Sequence, residues 1–174
     1  MKRQMPAAGL RLEVPFEFEK RGSTDIVVRL EDASVGIELK YLTRRLACEF
    51  EGEMFRLKAH GATDLRRYDI LKDVQRLERF NLAHGGPSYV IALTNDPAYW
   101  REVARTGTID AAFRLCDGRT VTGECRWAEH AAPGSIRNRE DCITLRGHYS
   151  MRWQAYSDLG MASGQFRYLL IPVG

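Results

Sequence analysis

Three residues early in the chain have the types and the spacing to do chemistry. Glu38 and Lys40 flank Leu39 within V-G-I-E-L-K-Y-L, residues 35 to 42, and Asp25 opens the preceding D-I-V-V-R-L run. Side chains two apart on a strand point the same way. Glu38 and Lys40 therefore share one face, and Ile37, Leu39 and Tyr41 are expected to pack on the other. If the two runs pair through a tight turn near Asp32, the start of one lies opposite the end of the other, and Asp25 comes beside Glu38 and Lys40. Hard oxygen ligands suit Mg2+, which keeps several waters and takes one or two carboxylates plus phosphate oxygens. Such an ion neutralises charge building on a phosphodiester and lowers the pKa of a bound water. The Leu39 carbonyl, between the two charged side chains, is a further candidate ligand. A lysine whose pKa falls on burial can position or deprotonate the attacking water. The set suits hydrolysis of phosphodiesters with Mg2+ or Mn2+ as cofactor.

The elements that must position these residues follow from periodicity. Residues 10 to 18 alternate with period two, with Leu10, Leu12, Val14, Phe16 and Phe18 on one face and Arg11, Glu13 and Glu17 on the other. This predicts a half-buried strand, with Pro15 marking an edge or a bulge. Arg21-Gly22-Ser23 reads as a turn, and residues 25 to 30 and 35 to 42 as the next two strands of an antiparallel meander. Residues 49 to 58 suit a small hairpin around Gly52. Ile70, Val74, Leu77 and Asn81 follow helical spacing and predict a helix over 64 to 80, capped by Thr63 or Asp64. Tyr89 to Thr94 is a continuous apolar run, as in a strand buried on both faces. Asn95-Asp96-Pro97 then predicts a short helix over 98 to 105. Farther on, residues 113 to 116 and 119 to 122 suit a hairpin around Asp117-Gly118. Residues 128 to 141 read as a loop and 166 to 173 as a terminal strand. The fold class is α/β, a mixed central sheet flanked by helices with extra C-terminal strands.

Totals agree with one domain. The chain has 174 residues, 44% of them hydrophobic, enough for a real core. It contains no run of about 18 apolar residues that would span a membrane and no signal-like N-terminus, so a cytoplasmic protein with reduced thiols is expected. Net charge is only +3, but arginine supplies 21 of the 26 basic residues, and its planar fork suits phosphate. Cys116, Cys125, His130, Cys142 and His148 match no usual zinc-ligand spacing, which leaves a zinc-stabilised domain as a minor reading. Tyr149, Trp153 and Tyr156, near Arg146 and Arg152, have the composition to stack on bases beside phosphate contacts.

S-T-D-I-V-V followed by G-I-E-L-K-Y resembles the signature of the PD-(D/E)xK, restriction-endonuclease-like nuclease superfamily. The resemblance extends to R-R-Y-D-I-L-K-D-V-Q-R-L-E and Y-V-I-A-L-T-N-D, about residues 10 to 96, and is closest to small bacterial members. It implies a restriction-endonuclease-like core over about 10 to 96, a β-rich extension over about 106 to 174, and Mg2+-dependent cleavage of DNA, less often RNA. It also implies Asp25 and Glu38 as metal ligands, with Lys40 as base or electrostatic stabiliser. Thr24 stands at the motif's proline. The superfamily core opens with a helix that often supplies an acid. This chain reaches its first strand within about nine residues, so Glu13 or Glu17, with Glu17 favoured, is expected to substitute. The helix after the third strand often lines the cleft. On it Asp69, Lys72, Asp73 and Arg76 share a face, with Lys72, Asp73 and Arg76 candidates for holding phosphate or metal-bound water. A homodimer is compatible with this reading. The rival is the same fold as a module that binds nucleic acid or protein without cutting.

Overall fold

The computed structural model describes residues 9–19, 22–102 and 106–174. Arg21 of the expected turn and residues 103–105 of the expected short helix lie outside them. The first three strands are β1 (Gly9–Pro15), β2 (Ser23–Arg29) and β3 (Ser34–Leu42), an antiparallel meander as the alternation predicts. A hairpin, β4 (Leu46–Phe50) and β5 (Glu53–Leu57), turns at Glu51-Gly52. Helix α1 (Thr63–His84) follows, then β6 (Ser88–Thr94), β7 (Thr120–Cys125), β8 (Ile143–Ser150), β9 (Trp153–Asp158) and β10 (Gln165–Val173). Strand order in the main sheet is β1-β2-β3-β6-β10-β9. Among the described residues only β3 and β6 pair in parallel there, joined by the crossover that carries α1. The fold is thus mixed α/β with a strand-rich mixed sheet. Among the described residues α1 is the one α-helix, so the sheet is not flanked by helices on both sides.

Helix α1 lies between the main sheet and the two-stranded β7–β8 ribbon, and this sandwich explains its unusual burial. Ile70, Leu71, Val74 and Leu77 are fully buried, but so nearly are Asp73, Gln75 and Glu78. A buried polar side chain must find partners. Glu78 accepts hydrogen bonds from the backbone N–H groups of Arg146 and Gly147 and from the Tyr149 hydroxyl, and so fastens β8 to the helix. The expected cap at Thr63 or Asp64 is not formed. Ala62, in the left-handed region, precedes the helix without a side-chain cap. At the other end Gly85, also left-handed, closes the helix on the Asn81 carbonyl.

Close approach fixes the register of β3. A Cβ on Gly36 would meet Leu77 at 2.9 Å and Ser88 at 3.1 Å. The Gly36 N–H donates to Ser88 Oγ, which bonds Asn81, and Asn81 in turn donates to the Val173 carbonyl. At Gly86 a Cβ would stand 2.3 Å from the Ser34 carbonyl oxygen. Backbone cannot yield as a flexible side chain does, so Gly86→Ala is expected to cost about 1–3 kcal/mol, read from urea denaturation.

Several expectations change. The apolar set of residues 10 to 18 does not share one face. The backbone of Glu13 is left-handed at φ 50 and the strand ends at Pro15. Leu10 and Leu12 consequently stay on the open side, while Val14 and Phe16 pack into the main core. β6 is not buried on both faces, because Tyr89, Ile91 and Leu93 are only half-buried. Residues 97–102 form a hydrogen-bonded turn with no helix. Residues 113–116 are not a hairpin arm: β7 pairs with β8 instead. The backbone around 115–117 is engaged by Trp153 and Trp100, which excludes a ladder with β7. Among the described residues no helix is long and apolar enough to cross a membrane.

Candidate active site

Antiparallel pairing of Ile26 with Ile37 sets Asp25 opposite Glu38. The backbone ladder between β2 and β3 ends at the Ile26–Ile37 pair, and the side chain of Asp25 continues it. Its Oδ2 accepts the Leu39 N–H at 2.6 Å. A strand residue presents its N–H and C=O to the same edge, so the Leu39 carbonyl faces the Asp25 side as well.

The face carrying Glu38 and Lys40 is the buried one, under α1. Glu38 is 2% exposed, whereas Leu39 and Tyr41 on the opposite face are 46% and 50% exposed. This inverts the expected arrangement, in which the apolar side chains anchor the strand and the charged pair faces a site. A charge placed there needs compensation. Lys40 supplies some: its Nζ stands 3.7 Å from Glu38 and 2.6 Å from Asp73 of α1. Asp73 in turn accepts from Arg76 at 3.2 Å, and Arg76 makes a two-pronged pair with Glu19 at 2.8 and 3.1 Å. The result is a chain of alternating acidic and basic side chains, Glu38–Lys40–Asp73–Arg76–Glu19, from the sheet across the helix to the loop after β1.

The protonation states follow. Burial raises the Glu38 carboxyl to about 9; Asp73 and Asp25 add to the rise and Lys40 opposes it. Asp73 is likewise raised by burial, against the opposing pull of Lys40 and Arg76. For Lys40, burial favours the neutral amine, but Asp73 and Glu38 outweigh it, and its pKa is raised. Lys40 is therefore held as an ammonium, which removes the expected fall in its pKa on burial. For Glu19, burial pulls upward and Arg76 more than offsets it, so this carboxyl sits below the ordinary glutamate range.

Beside this chain opens a cleft of about 530 Å³, bounded by Lys40, Arg66, Lys72, Asp73, Arg76 and Arg139 among others. Arg139 reaches across from the 126–142 loop and grips Asp69 at 2.7 and 2.9 Å. The Lys72 ammonium makes its hydrogen bond to a neutral amide, Gln75 Oε1, at 3.1 Å.

Asp25, Glu38, Lys40, Asp73 and Arg76 are thus brought together, with Lys72 on the cleft wall. Glu17 is not. It is exposed and borders a separate groove with Phe80 and His84, because the chain bends after Pro15. Glu19, two residues on, is the acid from this segment that reaches the cluster; sequence reasoning passed over it because it lies past the alternating run. The aromatic set also separates. Tyr149 is bound to Glu78 and Trp153 is in the core, leaving Tyr156 exposed.

The donors suit a hard divalent cation. Among the described residues no donor reaches the buried Glu38 Oε1; a hydrogen bond with Asp25 helps keep its carboxyl protonated, and a cation bound between the two acids would displace that proton and stabilise both carboxylates. Among the described residues no three His, Cys, Asp or Glu side chains stand in ligating geometry. Asp25 and Glu38 provide two carboxylates, within the number Mg2+ takes from protein when waters and phosphate oxygens complete its shell. No protein-family model, curated protein or solved structure matches the chain.

Proposed function

We propose that the chain is a metal-dependent phosphodiesterase of the PD-(D/E)xK type that hydrolyses DNA. The observation that carries this reading is the buried Glu38 Oε1, which no donor reaches among the described residues, beside Asp25, with Lys40 on the same strand face at the edge of a cleft where Lys72, Arg66 and Arg76 stand among Glu19, Asp69 and Asp141. Asp25, Glu38 and the Leu39 carbonyl would hold Mg2+ or Mn2+, which when bound neutralises phosphodiester charge and activates water. Lys40, held protonated, stabilises negative charge as it develops on the phosphate. Lys72 carries no carboxylate partner in its hydrogen bond and is the side chain best placed to take a neighbouring backbone phosphate. RNA offers the same phosphodiester and is the second substrate to try.

The test is DNA cleavage with and without Mg2+ or Mn2+. Cleavage is expected to need the ion and to fall about 100-fold or more in Lys40→Ala, with the circular dichroism spectrum retained. Equal activity in both proteins sinks the reading. One observation favours the alternative of a non-cutting binding module: Asp73 is already neutralised by Lys40 and Arg76. Calorimetry separates the two, because a module of that kind takes up neither Mg2+ nor Mn2+ even with DNA present.

A further inference from the structure

Strand alternation gives the six-stranded sheet two unlike faces. One lies under α1. The other carries Leu10 and Leu12 of β1, Leu39 and Tyr41 of β3, Leu93 of β6 and Leu170 of β10, and no charged side chain projects from its paired positions on β1, β2, β3 and β6. The β4–β5 hairpin covers one end of this face, where Leu46 and Cys48 pack on Phe166. At the other end β1 has no cover among the described residues: Leu10 is 65% and Leu12 66% exposed. The covering hairpin itself leaves Phe50 and Met54 half exposed.

We infer that this face is the interface with a second copy of the chain, in a two-fold dimer. Three observations select that occupant. The face is apolar and uncharged, so it complements another such sheet face, as in sheets packed about 10 Å apart. Its bare and half-bare side chains offer on the order of 800 Å², the share each partner contributes to a standard interface. The covered and bare ends lie at opposite sides of the sheet, so a two-fold axis in the contact plane and along the strands would bring the hairpin of each copy, with Phe50 and Met54, over Leu10 and Leu12 of the other. Glu38 and Lys40 point from the opposite face of β3, so the two clefts of such a dimer open outward.

Sedimentation velocity at micromolar concentration tests this without any activity assay, so its outcome is independent of the nuclease reading. The wild-type protein is expected to run as two chains of 19.9 kDa. Leu12→Glu and Leu170→Glu, on separate strands, are each expected to run as one chain, with melting and circular dichroism kept. Should one variant fail to fold, the other decides. A wild-type monomer, with the face then left to some other partner, overturns the inference. So does a dimer that persists in a folded variant.

Discussion

Glu38→Gln is expected to melt higher than the wild-type protein at pH 8 without divalent cations, and to cleave no DNA with them. The first half follows from the raised carboxyl. A glutamate carboxyl free in solution titrates near 4.5, and that of Glu38 is raised to about 9 in the fold, chiefly by burial. Below 4.5 both folded and unfolded chains carry the proton, and the group costs nothing. As pH rises toward 9 the unfolded chain sheds the proton readily while the fold retains it, so stability declines across that window. The full penalty is of the order of a few kcal/mol, and glutamine, neutral at every pH, does not incur it. The stability of the wild-type protein should therefore fall from pH 5 to pH 9 and that of Glu38→Gln should fall less. Adding Mg2+ or Mn2+ should lift the wild type alone, since an ion that binds only the folded state stabilises it. Thermal melts at several pH values, with and without ion, check each part. A variant less stable than wild type at pH 8 would contradict the assignment of Glu38 as a strained, buried acid.

The second expected effect is at Asp73. Asp73→Asn keeps the shape but removes the charge that Lys40 and Arg76 share. Removing one partner of a buried ion pair typically costs 3–5 kcal/mol. Lys40 and Arg76 are each about a quarter exposed as side chains, so water recovers part of that; burial, which raises the Asp73 carboxyl against the pull of both cations, offsets more of it, and a loss of about 1 kcal/mol is expected at neutral pH. The pair should also be coupled. In Lys40→Met with Asp73→Asn the isosteric apolar chain needs no counter-charge, and the double variant should lose less than the sum of the singles. Additive losses in chemical denaturation would show that Asp73 serves Arg76 alone.

How much of this was legible in the sequence depends on the range of the interaction. The i, i+2 spacing of Glu38 and Lys40 is a property of any strand, and the short turn before Ser34 brings Asp25 opposite Glu38 by local pairing alone. Helix α1 was legible from its Ile70, Val74 and Leu77 spacing. Which sheet face it covers was not. Apolar Leu39 and Tyr41 gave every local sign of facing a core, yet the helix lies over Glu38 and Lys40, since Asp73 and Arg76 supply charges that only the tertiary fold brings there. Glu78 reads as an exposed helix residue until β8, more than sixty residues later, places three donors on it. The left-handed Glu13 carries no signal in its residue type either, and it alone divides one apolar pattern between two faces.

The two glycines that pin β3 bear on how this chain can vary. Substitutions along the strand are graded, each altering one side chain. A single-residue insertion or deletion between Gly36 and Lys40 is of another kind. It would turn every following side chain over, sending the acid and the ammonium to the open face and Leu39 into the helix contact. With Gly36 seated against Leu77 and Gly86 against Ser34, the strand has no room to slide back into phase. Length polymorphism should thus be tolerated in the β4–β5 turn and the 126–142 loop, and be lethal to the fold in these five residues.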